Sequence, residues 1–91
     1  MIKKTATIVN KLGLHARPAA QLVSTATKFE AEVFYSKGDL RVNGKSIMGV
    51  MMLAAEQGSQ LVIEVEGPDE GAAMEALLMV IASGFSEGVD E

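Results

Sequence analysis

The sequence has 91 residues, 48% of them hydrophobic and 22% charged, which is enough for one hydrophobic core and too little for two, so a single domain over 1–91 is expected. Cysteine is absent, which excludes thiol catalysis, cysteine-based metal sites and disulfides. The formal charge of −4 and the few aromatic residues speak against a nucleic-acid partner, and with neither a signal-peptide core nor an apolar run near ~18 residues the chain is expected to be cytoplasmic, without membrane insertion.

Ile2 to Val9, rich in Thr, Ile and Val, read as a first strand with Ile2, Lys4, Ala6 and Ile8 on one face. Asn10 to Gly13 form a turn. From Ala16 the apolar positions Ala16, Ala19, Ala20, Val23 and Ala26 or Thr27 follow helical spacing for about three turns. Pro18 fits the first turn, where its missing amide has no intrahelical partner to lose, and this places His15 at or beside the N-cap. Ala31 to Ser36 read as a strand, Ser36 to Asp39 as a hairpin turn, and Leu40 to Asn43 as the return strand. Ser46 then caps a short helix with a stripe of Ile47, Val50, Met51 and Ala54, weakened by Gly49. Gln60 to Glu66 alternate, with Leu61, Ile63 and Val65 on one face. Gly67 to Glu70 start a final helix of about four turns whose inner side is Ala73, Leu77, Val80, Ile81 and Gly84. The tail from Ser86 to Glu91 is expected to fray. This β-α-β-β-α-β-α order gives an open-faced α/β (α+β) sandwich, one sheet with its helices on one face.

Charge is segregated along the chain: up to Lys45 there are eight bases against three acids, and after it nine acids and no Lys or Arg. Such a distribution is suited to steering an acidic partner or a phosphate. Gly44-Lys45-Ser46 looks like the end of a nucleotide-binding loop, but Asp39 stands where that motif needs glycine. One histidine cannot build a multi-histidine metal site, no acidic cluster has a calcium-loop pattern, and no serine elbow marks a catalytic triad. No cofactor or metal is expected.

What remains is Gly13-Leu14-His15-Ala16-Arg17-Pro18-Ala19. A helix start offers unpaired N–H groups and a partial positive charge to a phosphate, and an uncharged imidazole there is a nucleophile. The Arg17 guanidinium adds a fork that fits phosphate oxygens. Taken alone, these residues equally allow a plain surface cap.

This segment resembles the active-site motif of the HPr family, the histidine-containing phosphocarriers of the bacterial phosphoenolpyruvate-dependent phosphotransferase system. Lys45-Ser46-Ile47-Met48-Gly49-Val50-Met51 resembles the family's second signature, and the likeness runs over essentially the whole chain. The resemblance implies a four-stranded antiparallel sheet with three helices on one face, and a carrier rather than an enzyme. His15 would accept a phosphoryl group at Nδ1 from phosphorylated enzyme I and pass it to the A domains of enzymes II for sugar uptake. Arg17 would stabilise the phosphate. Ser46, besides capping its helix, falls on the position phosphorylated in many relatives by HPr kinase/phosphorylase. Ile47, Met48 and Met51 would face these partners, with Met48 the exposed member, and the carrier would be a monomer. Asn10-Lys11-Leu12-Gly13 and Ser83-Gly84-Phe85 resemble the nitrogen-related branch, in which the same relay serves regulation. Rivals from other classes are a small-molecule-sensing module, which needs neither His15 nor Arg17, and a silent relative that only binds regulators, against which His15 argues.

Overall fold

The computed structural model describes residues 1–86. Its elements are β1 (Ile2–Thr7), α1 (Ala16–Ala26), β2 (Glu32–Lys37), β3 (Leu40–Asn43), α2 (Ile47–Met52), β4 (Gln60–Glu66) and α3 (Glu70–Ala82), followed by a tight turn over Gly84–Ser86. The strands form one sheet in the order β1-β4-β2-β3, with every neighbouring pair antiparallel. Val33, Tyr35, Val42, Leu61, Ile63 and Val65 point to the helix-covered face and are buried. Each aliphatic side chain so buried contributes about 1.5–3 kcal/mol against leaving it in water. Between these positions, residues such as Glu64 and Arg41 face away; the Arg41 guanidinium lies 4.0 Å from the Phe34 ring centroid and its Nε donates to Glu64 Oε1 at 2.9 Å.

The expected sandwich is present, with several local differences. The β1 ladder stops at Thr7, which pairs with Gln60, because the partner chain turns away at Gly58-Ser59. Ile8 still exchanges hydrogen bonds there, donating to the Ser59 carbonyl at 2.9 Å and accepting from Gly58 at 2.8 Å. The hairpin sits one residue later than expected: Lys37 pairs with Leu40, and Gly38, at φ +60°, opens the two-residue turn.

The inner stripe of α1 is Pro18, Ala19, Leu22 and Ala26, while Ala16 and Ala20 are exposed. Small alanines satisfy either face of a helix, so the larger Leu22 sets the rotation. In α3 the inner stripe is Ala73, Met74, Leu77 and Ile81, with Val80 half-buried; Gly84 belongs to the turn beyond the helix, where Phe85 is buried at φ +57°. Of the tail expected to fray, Ser86 closes this turn and 87–91 lie outside the described residues.

Candidate functional site

The loop before α1 is built from Asn10, the one polar or charged residue fully buried among those described. Its Nδ2 donates to the Gly13 carbonyl at 2.8 Å, and its own carbonyl accepts from Gly13 N–H at 3.2 Å. The loop is therefore clasped from both ends of one residue. Gly13 sits at φ +70°, and a Cβ there would fall 2.4 Å from the Ala55 carbonyl oxygen. Glycine is needed for its conformation and for its lack of a side chain. Leu14 N–H then donates to Ala55 at 2.8 Å, stitching this loop to the segment just after α2.

His15 follows as the N-cap of α1, extended at φ −82° and ψ −170°, half-buried, and with no side-chain capping bond. The helix starts with the His15 carbonyl accepting from Ala19 N–H at 3.0 Å. Arg17 is exposed in the first turn. It borders a shallow groove of about 400 Å³ between α1 and α3, lined also by Ala20, Gln21, Ser24 and Val80. Helix-start N–H groups and a guanidinium thus share one end of α1, an arrangement that can hold and polarise a phosphoryl group.

Ser46 is the N-cap of α2, and its Oγ accepts from Gly49 N–H at 3.0 Å. Asn43 presents it, with Oδ1 accepting from Lys45 N–H at 2.8 Å and its carbonyl accepting from Ser46 N–H at 3.2 Å. Within α2 only Val50 is buried, joined by Leu53 beyond the helix end. The expected stripe of Ile47, Val50, Met51 and Ala54 is thereby corrected: Ile47 and Met51 are over 40% exposed and Ala54 lies outside at φ +47°. Six residues over the β3 edge have room to bury one face only, so the others look outward. Met48 is 74% exposed, and Met52, one turn on at 63%, was not among the expected contact residues although its i,i+4 spacing from Met48 was readable. Leu12, 71% exposed beside Gly13, adds an apolar side chain from the histidine loop itself.

The segregated charge does not gather around His15. Lys3 pairs in register with Glu64, Arg41 is bonded to Glu64, and the Lys45 ammonium donates to the Phe29 carbonyl at 2.8 Å. Antiparallel pairing of the basic first strand with the acidic fourth mixes what the sequence separates. Lys11 and Arg17 are the bases on the histidine loop and first turn.

A family model described as the PTS HPr component phosphorylation site matches residues 2–83. The chain belongs to the HPr family. It is similar to the phosphocarrier protein HPr of Cupriavidus necator, 52% identical over 97% of this chain and 99% of that one. The HPr of Neisseria meningitidis serogroup A is 51% identical over the same shares. Among solved structures, an HPr from Thermoanaerobacter tengcongensis superposes with a TM-score of 0.93 at 46% identity, covering 97% of this chain and 99% of that one. The protein is thus an HPr phosphocarrier of the phosphotransferase system, a carrier rather than a catalyst. In this HPr both signature segments lie on the side of the sandwich formed by α1 and α2, which pack against each other. No helix among the described residues is long and apolar enough to cross a membrane.

Proposed function

We propose that this HPr is a monomeric cytoplasmic carrier that takes a phosphoryl group from phosphorylated enzyme I onto His15 and hands it to enzyme II A domains in sugar uptake. The observation that carries the reading is the placement of His15 at the start of α1, with Arg17 in the first turn, on a loop clasped by Asn10 and Gly13. In each transfer an imidazole nitrogen lone pair forms a bond to phosphorus as the bond to the donor nitrogen breaks, so the group moves without hydrolysis. Charge on the phosphoryl oxygens is met by α1's first N–H groups and by Arg17. Ile47, Met48 and Met51 meet the partners; methionine's flexible side chain suits a surface that must fit several. Phosphorylation of Ser46 by HPr kinase/phosphorylase adds negative charge beside this patch and weakens docking.

The alternative is that the same relay serves the nitrogen-related regulatory branch, whose resemblance is carried by residues that also hold the fold, Asn10 in the loop and Phe85 in the core. The test is incubation with phosphoenolpyruvate and enzyme I, followed by addition of an enzyme II A domain. The parent should gain one acid-labile, base-stable phosphate and lose it to the A domain. His15→Ala should gain none while melting like the parent. Undiminished phosphorylation of that variant would overturn the assignment.

A further inference from the structure

Half of the chain's six methionines, Met48, Met51 and Met52, stand on the six-residue α2, and the sequence has no cysteine. Thioethers are therefore the only sulfur that a two-electron oxidant can meet. The helix turns them outward: Met48 is 74% exposed, Met52 63% and Met51 42%, since Val50 alone goes inward. Met74 is the opposite case, 2% exposed on the inner stripe of α3. Met79, 67% exposed, is open to solvent but stands on the side of α3 that faces β1, away from the docking surface. An oxidant thus reaches α2 freely while the sulfur in the core is shielded.

With hydrogen peroxide the sulfur lone pair attacks one peroxide oxygen, and the S–O bond forms as the O–O bond breaks. Sulfur gives up two electrons, and the released hydroxide takes the proton of the new S–OH group and leaves as water. The product is a polar, chiral sulfoxide where the thioether was apolar and flexible. Docking must then strip water from a strong hydrogen-bond acceptor, a cost the thioether does not carry. The adaptability that suits this surface to several partners is lost with it. We propose that α2 is a reversible oxidation site: peroxide converts Met48 and Met52, and more slowly Met51, to sulfoxides that weaken partner docking without unfolding the carrier. A methionine sulfoxide reductase reverses the change, two thiols becoming a disulfide as the oxygen leaves in water. This rests on the docking role proposed for α2; His15 and Arg17 take no part in it.

The test treats the carrier alone with hydrogen peroxide, removes the oxidant by desalting, and only then adds phosphoenolpyruvate and enzyme I. Peptide mass spectrometry should find oxygen gained at Met48 and Met52 before Met51, and last at Met74, with the melt within a few degrees of the untreated protein. The KM for the carrier should rise about tenfold at nearly constant kcat, as a polar group enters an apolar contact. Reductases for both sulfoxide epimers, with dithiothreitol, should return it. Met79→Leu should keep the full sensitivity. In a variant carrying Met48→Leu, Met51→Leu and Met52→Leu, KM should be the same before and after peroxide, whatever its starting value. Oxygen at Met48 and Met52 with unchanged KM overturns the proposal; a raised KM in Met48→Asp then keeps the docking role, and an unchanged one removes that role as well. Failure of Met48 and Met52 to gain oxygen, sensitivity retained in the triple variant, or oxidation of Met74 in step with Met48 and a collapsed melt overturns it too.

Discussion

The loop carrying His15 is held at both ends of Asn10 and again where Leu14 bonds to Ala55, whereas α2 sends Val50 alone inward and leaves Met48 and Met52 in solvent. The two regions adjoin, but they meet different physical demands. On the proposed function the His15 nitrogen must be placed to a fraction of an ångström for transfer to be fast, which a loop held in this way suits. A surface serving several partners gains from side chains that can repack, and thioethers on a short helix provide that. The proposed function thus assigns rigid placement and adaptable docking to separate segments, joined where Leu14 N–H bonds to Ala55.

Substituting Gly13 should break the comparison most severely. Gly13→Val puts a branched side chain where a Cβ already falls 2.4 Å from a backbone oxygen, at φ +70°. About 3 kcal/mol or more of destabilisation is expected, equivalent to a fall in melting temperature of roughly 12–24 °C, with transfer through His15 lost in proportion to misplacement of the loop. A thermal melt and a phosphorylation assay check both; a variant that melts and transfers like the parent would show the loop to be compliant.

Ser46→Asp should act in the opposite sense. Aspartate caps a helix as well as serine does, so the bond to Gly49 N–H has a replacement and the melt should stay within a few degrees of the parent. Affinity for enzyme I should fall by several-fold, about 1 kcal/mol, as a charge is set beside the apolar patch. Calorimetric titration of both proteins decides it, and equal affinities would leave Ser46 as a cap alone.

A smaller effect is expected from acid. The Asp69 carboxylate accepts from Glu30 and Ala31 N–H at 2.9 Å each, holding the turn between α1 and β2. The bond from Glu30 foremost, then that from Ala31, with the Lys45 charge adding, keeps its pKa below the usual carboxylate value despite some desolvation. A depressed folded pKa stabilises the fold above the unfolded value of ~3.9 and loses that contribution as pH falls through the folded one. Melting temperature should therefore drop below about pH 4, and less steeply in Asp69→Asn, with a remainder from Glu70, whose pKa is lowered chiefly by the bond from Gly67 N–H. Parallel slopes for parent and variant would remove Asp69 from the account.

The strands and helices were legible because each buries a single face at a regular period: Leu61, Ile63 and Val65 alternate, and Ala73, Leu77 and Ile81 recur at helical spacing. The rotation of α1 was not, since alanines at 16, 19, 20 and 26 leave the angle open until Leu22 meets the sheet. His15, Arg17 and Ser46 were found from two local motifs; the structure places His15 and Ser46 at helix N-caps and Arg17 in the first turn of α1. The clasp by Asn10 and the carbonyl of Ala55 depends on contacts distant in sequence, which no local pattern encodes. The segregation of charge along the chain is mixed in the fold for the same reason, as antiparallel pairing sets Lys3 against Glu64.

The separation of placement from docking is tested most directly by steady-state phosphoryl transfer from enzyme I, with kcat and KM measured for Arg17→Ala and Met48→Asp side by side. Arg17→Ala should lower kcat at nearly constant KM, because the guanidinium acts on charge in the transferring group. Met48→Asp should raise KM about tenfold at nearly constant kcat, because a side chain 74% exposed on α2 contributes to encounter and not to the reacting atoms. The same change in both variants, or a fall in kcat from Met48→Asp, would contradict the account.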